Sequence, residues 1–94
     1  MSNHFILTVG NQSAGVLALL QSMIARDANS WWHYMGNVWI ICACEDIATW
    51  NAKISNFLRH YPNAQFFLLE LEPHKSRNGL LPKEAWDWLK EHHL

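Results

Sequence analysis

The residues of this chain that could do chemistry are few and scattered. Its six histidines stand at positions 4, 33, 60, 74, 92 and 93, and no pair has the His-x-x-x-His spacing that puts two imidazoles on one helical face for zinc. Cys42 and Cys44 are the only cysteines, and two thiolates do not complete a four-ligand site. Their side chains would point the same way on one strand, which argues against a disulfide and for a reducing cytoplasm. Ser13, Ser22, Ser30, Ser55 and Ser76 sit in no nucleophile motif, and spacing assembles no Ser, His and carboxylate set. The expectation is a chain without metal or cofactor, and the reading leans away from an enzyme.

One loop calls for closer inspection. "TVGNQSAGVLALL", Thr8 to Leu20, reads as a strand end, a loop with Gly10 and Gly15, and a helix start. A phosphate-binding loop of the Walker type would place Lys and Ser or Thr after its second glycine, to reach phosphate and magnesium. Val16 and Leu17 stand there instead, so nucleotide hydrolysis is set aside. Gly10, Asn11, Gln12 and Ser13 remain as a candidate ligand loop.

Tryptophan is the unusual component: six occur, at 31, 32, 39, 50, 86 and 88. Trp and Tyr suit interfaces because each joins a large apolar body to one polar group. Trp32, His33, Tyr34, Trp39, Trp86 and Trp88 are therefore candidate binding or interface residues. Lys75, Arg77 and Lys83 precede or open the last helix and are candidate anion contacts. An aromatic sheet face beside cations could stack a nucleic-acid base. The formal charge of −1 supplies no basic field, and Glu70, Glu72, Glu84 and Asp87 would repel a backbone. Nucleic acid is thus a possible but not a favoured partner.

These residues are positioned by elements that periodicity reveals. His4 to Val9 predicts a strand, and Val16, Leu17, Leu20, Met23 and Ile24 predict a helix capped by Ser13. "SWWHYMGNVWIICA" predicts a hairpin about a two-residue Gly36-Asn37 turn, with Tyr34 facing Trp39 and Trp32 facing Ile41. Ile47, Trp50, Ile54, Phe57, Leu58 and Tyr61 mark a second helix, with Pro62 closing it. "AQFFLLELE" predicts a strand, and Pro82 is placed to begin a third helix. The order β-α-β-β-α-β-α fits an α+β, ferredoxin-like sandwich with an antiparallel sheet and an added C-terminal helix, as one domain over residues 1–94. No apolar run is long enough to span a bilayer. No membrane partner is expected.

Such a sandwich has a second sheet face. Either Ile6, Phe67, Leu69 and Leu71 or their alternates Phe5, Leu7, Phe66 and Leu68 must point away from the two helices. The C-terminal helix covers part of that face, and a homodimer is the expected cover for the rest.

Two family resemblances bear on function. "FILTVGNQSAGVLALLQSMIA" resembles the first strand, loop and helix of ACT domains, which implies binding of an amino acid near the loop. Gln12, Ser13 and Ala14 replace that family's usual acidic residue and Pro. "SWWHYMGNVWII" with "NGLLPKEAWDWL" resembles uncharacterised bacterial proteins labelled SinR-like, which in turn resemble the ferredoxin-like CRISPR-associated endoribonucleases of adaptation. That resemblance implies the fold and a dimer habit. The nucleases carry an Asp at the end of the first strand to hold a metal; Val9, Gly10 and Asn11 stand there here, and no carboxylate precedes Asp27. The reading is a non-enzymatic homodimeric interaction or binding module that assembles through an aromatic sheet face and the C-terminal helix. A metal-dependent nuclease or nucleic-acid-binding protein and an ACT-like metabolite sensor are its alternatives.

Overall fold

The computed structural model describes residues 3–10, 12–34, 36–72 and 83–92, and only the backbone of Tyr34. Its elements are β1 (Asn3–Gly10), α1 (Ala14–Asp27), β2 (Ser30–Tyr34), β3 (Val38–Ala43), α2 (Ile47–Leu58), β4 (Gln65–Glu70) and α3 (Lys83–Glu91). The four strands form one sheet in the order β2-β3-β1-β4, with every neighbouring pair antiparallel. This is the ferredoxin-like β-α-β-β-α-β topology with a helix added. Pro82, the predicted start of that helix, lies outside the described residues.

Local chemistry sets the helix ends. Ser13 Oγ accepts the Val16 N–H at 3.3 Å and caps α1. Asp46 Oδ1 accepts the Thr49 N–H at 2.9 Å, and that bond holds the Asp46 carboxyl below the usual carboxylate range. α2 stops at Leu58, so Tyr61, expected on its face, lies beyond the helix and meets Phe57 with ring centroids 5.7 Å apart. Pro62 then blocks continuation, and Asn63 turns the chain at φ 59°.

Alternation along the strands decides what enters the core. Phe5, Leu7 and Val9 of β1 and Trp39, Ile41 and Ala43 of β3 share one face, all essentially without solvent contact. Leu20 and Ile24 of α1 and Trp50, Ile54 and Leu58 of α2 close over it. The Trp50 Nε1–H donates to Glu45 Oε1 at 3.2 Å, so this buried indole keeps its hydrogen bond. Asp27 at the end of α1 pairs with Arg26 and reaches Lys53 of α2 at 3.4 Å. The Arg26 hydrogen bond is the main reason its carboxyl titrates below the ordinary value. A depressed carboxylate stabilises the fold above its unfolded pKa, and that contribution is lost as pH falls through the folded one.

The hairpin corrects one expectation. Tyr34 pairs with Val38 and His33 with Trp39, so three residues, 35–37, join the strands rather than two. Asn37 is the reason: its carbonyl accepts the Val9 N–H at 3.0 Å and its Nδ2 donates to Val9 O at 2.9 Å. Those bonds draw Asn37 into the β1 ladder and leave Gly36, at φ 74°, to make the turn. The one-residue shift sets Trp32 opposite Ile40 instead of Ile41 and sends Trp32 and Trp39 to opposite faces. Trp39 is completely buried among the core residues. It cannot share an exposed binding surface with Trp32. Replacing Trp39 with Ala should cost about 3–5 kcal/mol of folding stability, read by urea denaturation, and a smaller loss than 1 kcal/mol would show that the site lies outside the core.

Candidate interaction surface

The face of the sheet away from α1 and α2 divides into two halves. Against β2 lies α3. Its Trp88 ring meets Trp32 at 6.4 Å between centroids, tilted by 38°. His92 stacks on Trp88 at 3.9 Å, its Nδ1 donates to the Trp88 carbonyl at 2.8 Å, and its Nε2 meets the Ser30 hydroxyl at 3.0 Å. Ala85 and Leu89 are buried and Trp86 is half-buried. The hairpin and the last helix thus bring tryptophans together, through Trp32 and Trp88.

Over β1 and β4 no element lies among the described residues. Phe67 is 61% exposed and Leu69 48%, beside half-buried Ile6 and exposed Thr8. The β1–β4 register puts these four on the face opposite Leu7 and Val9. Of the two alternating sets in the sequence, Phe67 and Leu69 are those directed away from the helices, while Phe66 and Leu68 pack against the core.

Among the described residues no strand pairs with the outer edge of β4 either. The Leu71 N–H bonds His4 O at 2.7 Å, and antiparallel alternation then turns the amides of Gln65, Phe67 and Leu69 toward β1 and those of Phe66, Leu68 and Glu70 outward. Three open depressions, of about 390, 350 and 310 Å³, line this flank, and Phe66 borders each of them. Ala48 and Asn51 of α2 border the first, Ser55 and Arg59 the second, and Thr8 and Gly10 the third.

The other expected site residues are dispersed. His33 stacks on Trp39 at 4.3 Å, nearly parallel, and its Nε2 hydrogen-bonds Gly36 O at 2.7 Å. Its role is to close the hairpin. Lys83 pairs with Asp87 at 3.1 Å on an exposed turn of α3, a contact worth at most about 1 kcal/mol. Lys75 and Arg77 lie outside the described residues, as does Asn11. In the predicted ligand loop, Gly10 pairs with Gln65 at the end of β1, Ser13 is the cap of α1, and Gln12 Nε2 is buried with no hydrogen-bond partner. Cys42 is buried and Cys44 exposed, both as free thiols. Among the described residues, no three His, Cys, Asp or Glu side chains are placed to hold a metal, and no helix is long and apolar enough to cross a membrane.

Comparison with known proteins adds little to this geometry. No family model matches the chain, and no curated protein does. A solved structure described as the crystal structure of PH0061 is similar over 86% of this chain, at 17% identity and a TM-score of 0.47. The chain spans 57% of the length of that protein. The fold is therefore established by the strand order and pairing of the chain itself.

The seat of α3 is testable on its own. Trp88→Ala should leave the four-stranded core folded while amide exchange across residues 83–92 accelerates at least tenfold. Unchanged exchange there would mean that the Trp32, Trp88 and His92 contacts do not hold the helix.

Proposed function

We propose that this chain is a non-enzymatic interaction module that self-associates through the half of its outer sheet face which α3 leaves open. The observation that supports this is the exposure of Phe67 and Leu69 side by side on β4, a strand at the edge of the sheet among the described residues. Single exposed apolar residues are ordinary, but an apolar pair on an unprotected edge strand is a pairing surface. The C-terminal helix enters this reading differently from the expectation above: its apolar residues are spent within its own chain, and it limits the assembling surface to β1 and β4. A net charge of −1 offers little repulsion between copies.

Light-scattering mass should rise from that of one chain toward that of two as concentration increases. Phe67→Ser should raise the dissociation constant at least tenfold with little change in melting temperature, because the side chain is exposed in the single chain. A mass that stays at one chain at every concentration contradicts the module reading.

A second reading, ACT-like sensing of an amino acid, is supported by Gln12. Its buried, unpartnered Nε2 is an amide donor beside the N-terminus of α1, where a ligand carboxylate would satisfy it. On this reading one of the free L-amino acids should raise the melting temperature, by the equivalent of about 2.7 kcal/mol at a hundred times its dissociation constant. Gln12→Leu should abolish the shift. No shift with any amino acid removes this reading.

A further inference from the structure

We propose that the partner on the β4 edge is a second copy of this chain, joined by antiparallel β4 to β4 pairing with Leu68 on the two-fold axis, so that two four-stranded sheets become one of eight strands. This rests on the self-association proposed above and names its geometry. The outward amides belong to Phe66, Leu68 and Glu70, as the Leu71 to His4 bond requires. A two-fold axis normal to the sheet keeps its faces continuous, so residues facing each other across the new interface must come from the same alternating set. Several registers then pair outward groups with outward groups; the three that overlap most set Leu68, Phe67 or Leu69 opposite the same residue of the partner.

The first register suits this sequence better. It places each exposed Phe67 opposite the partner's Leu69, in the close non-hydrogen-bonded type of pair, so all four exposed apolar side chains find apolar partners. It places Glu70, the only charged residue of β4, opposite the partner's Phe66. The two Glu70 carboxylates then stand at opposite ends of the interface, about 14 Å apart along the strands, beyond the screening length of about 10 Å at 0.1 M salt. The second register sets Leu69 opposite the partner's Gln65, the third sets Glu70 opposite the partner's Leu68 and brings the two Glu70 carboxylates closer together, and each forms one fewer hydrogen-bonded pair.

The other edge strand is a poorer candidate. Ser30, Trp31, Trp32 and His33 of β2 are all at least partly covered, and Trp32 lies against α3. In β4, Gln65, Phe67, Leu69 and Glu70 are exposed. The size of the patch also sets the strength of the contact. Six strand residues extend about 20 Å, and one sheet layer with its helix layer is about 20 Å deep, which presents roughly 400 Å² per copy. Stable permanent interfaces bury about 800 Å² per partner. The pairing is therefore a reversible one, with dissociation at micromolar concentrations.

Cysteine cross-linking tests the register. In a Cys44→Ser background, Leu68→Cys places two thiols on a hydrogen-bonded antiparallel pair with about 5.5 Å between Cα atoms, within the 4.4–6.8 Å that a disulfide spans. Mild oxidation should yield a covalent dimer of L68C and little of Phe67→Cys. Glu70→Pro is the complementary variant. It removes an outward N–H and spares the bonds to β1, so the dissociation constant should rise at least tenfold while the dilute protein melts as before.

A dimer that cross-links through F67C and not L68C, or one indifferent to E70P, overturns the edge pairing and leaves the module reading intact. A chain that is monomeric at every concentration overturns both. In that case an extended peptide from another protein becomes the occupant to seek for the same edge.

Discussion

The rest of the structure depends on the two-sided pairing of β1. Its odd-numbered residues bond β3 and bury Phe5, Leu7 and Val9 against both helices, while its even-numbered residues bond β4. Once that assignment is made, the orientation of each neighbouring strand follows from alternation. Trp39 and Ile41 go inward with Leu7 and Phe5, and Phe66 and Leu68 take the same side on β4. Phe67 and Leu69 are thereby directed outward. The exposed pair is thus a consequence of how the core is filled.

The outer face shows how a small domain deals with a sheet that is apolar on both sides. Covering it fully would need a second helical layer, and α3 is long enough for only half. That helix is anchored by aromatic contact, Trp32 to Trp88 to His92, and by the His92 to Ser30 hydrogen bond. On the other half no element intervenes among the described residues, and β4 carries neither Lys nor Pro, the residues that commonly blunt an edge strand. A surface left in that state favours an assembled form of the protein over an isolated one.

The order of elements was legible in the sequence because each helix repeats apolar residues at helical spacing. Ser13, read as a cap, does cap α1, whereas the Asp46 cap of α2 is seen only in the structure. The register was not legible in the same way. Asn37 looked like half of a two-residue turn, and its true partner, Val9, is remote in sequence and appears only when β1 and β3 pair. The same limit hid the candidate surface. In "FILTV" and "QFFLLE" both alternating sets are apolar, so composition could not tell which set faces water. The contact of Trp32 with Trp88 could not be read from spacing, and the expected grouping of Trp32 with Trp39 failed with the turn.

The most direct test of this account is residue-resolved amide exchange across β4 at rising protein concentration. In dilute solution the amides of Phe67 and Leu69 should be protected by β1, while those of Phe66, Leu68 and Glu70 exchange freely. As the concentration passes into the dimeric range, the outward three should gain protection together. Outward amides that remain unprotected while the mass doubles would contradict the account, because the second copy would then be seated elsewhere than on the open edge.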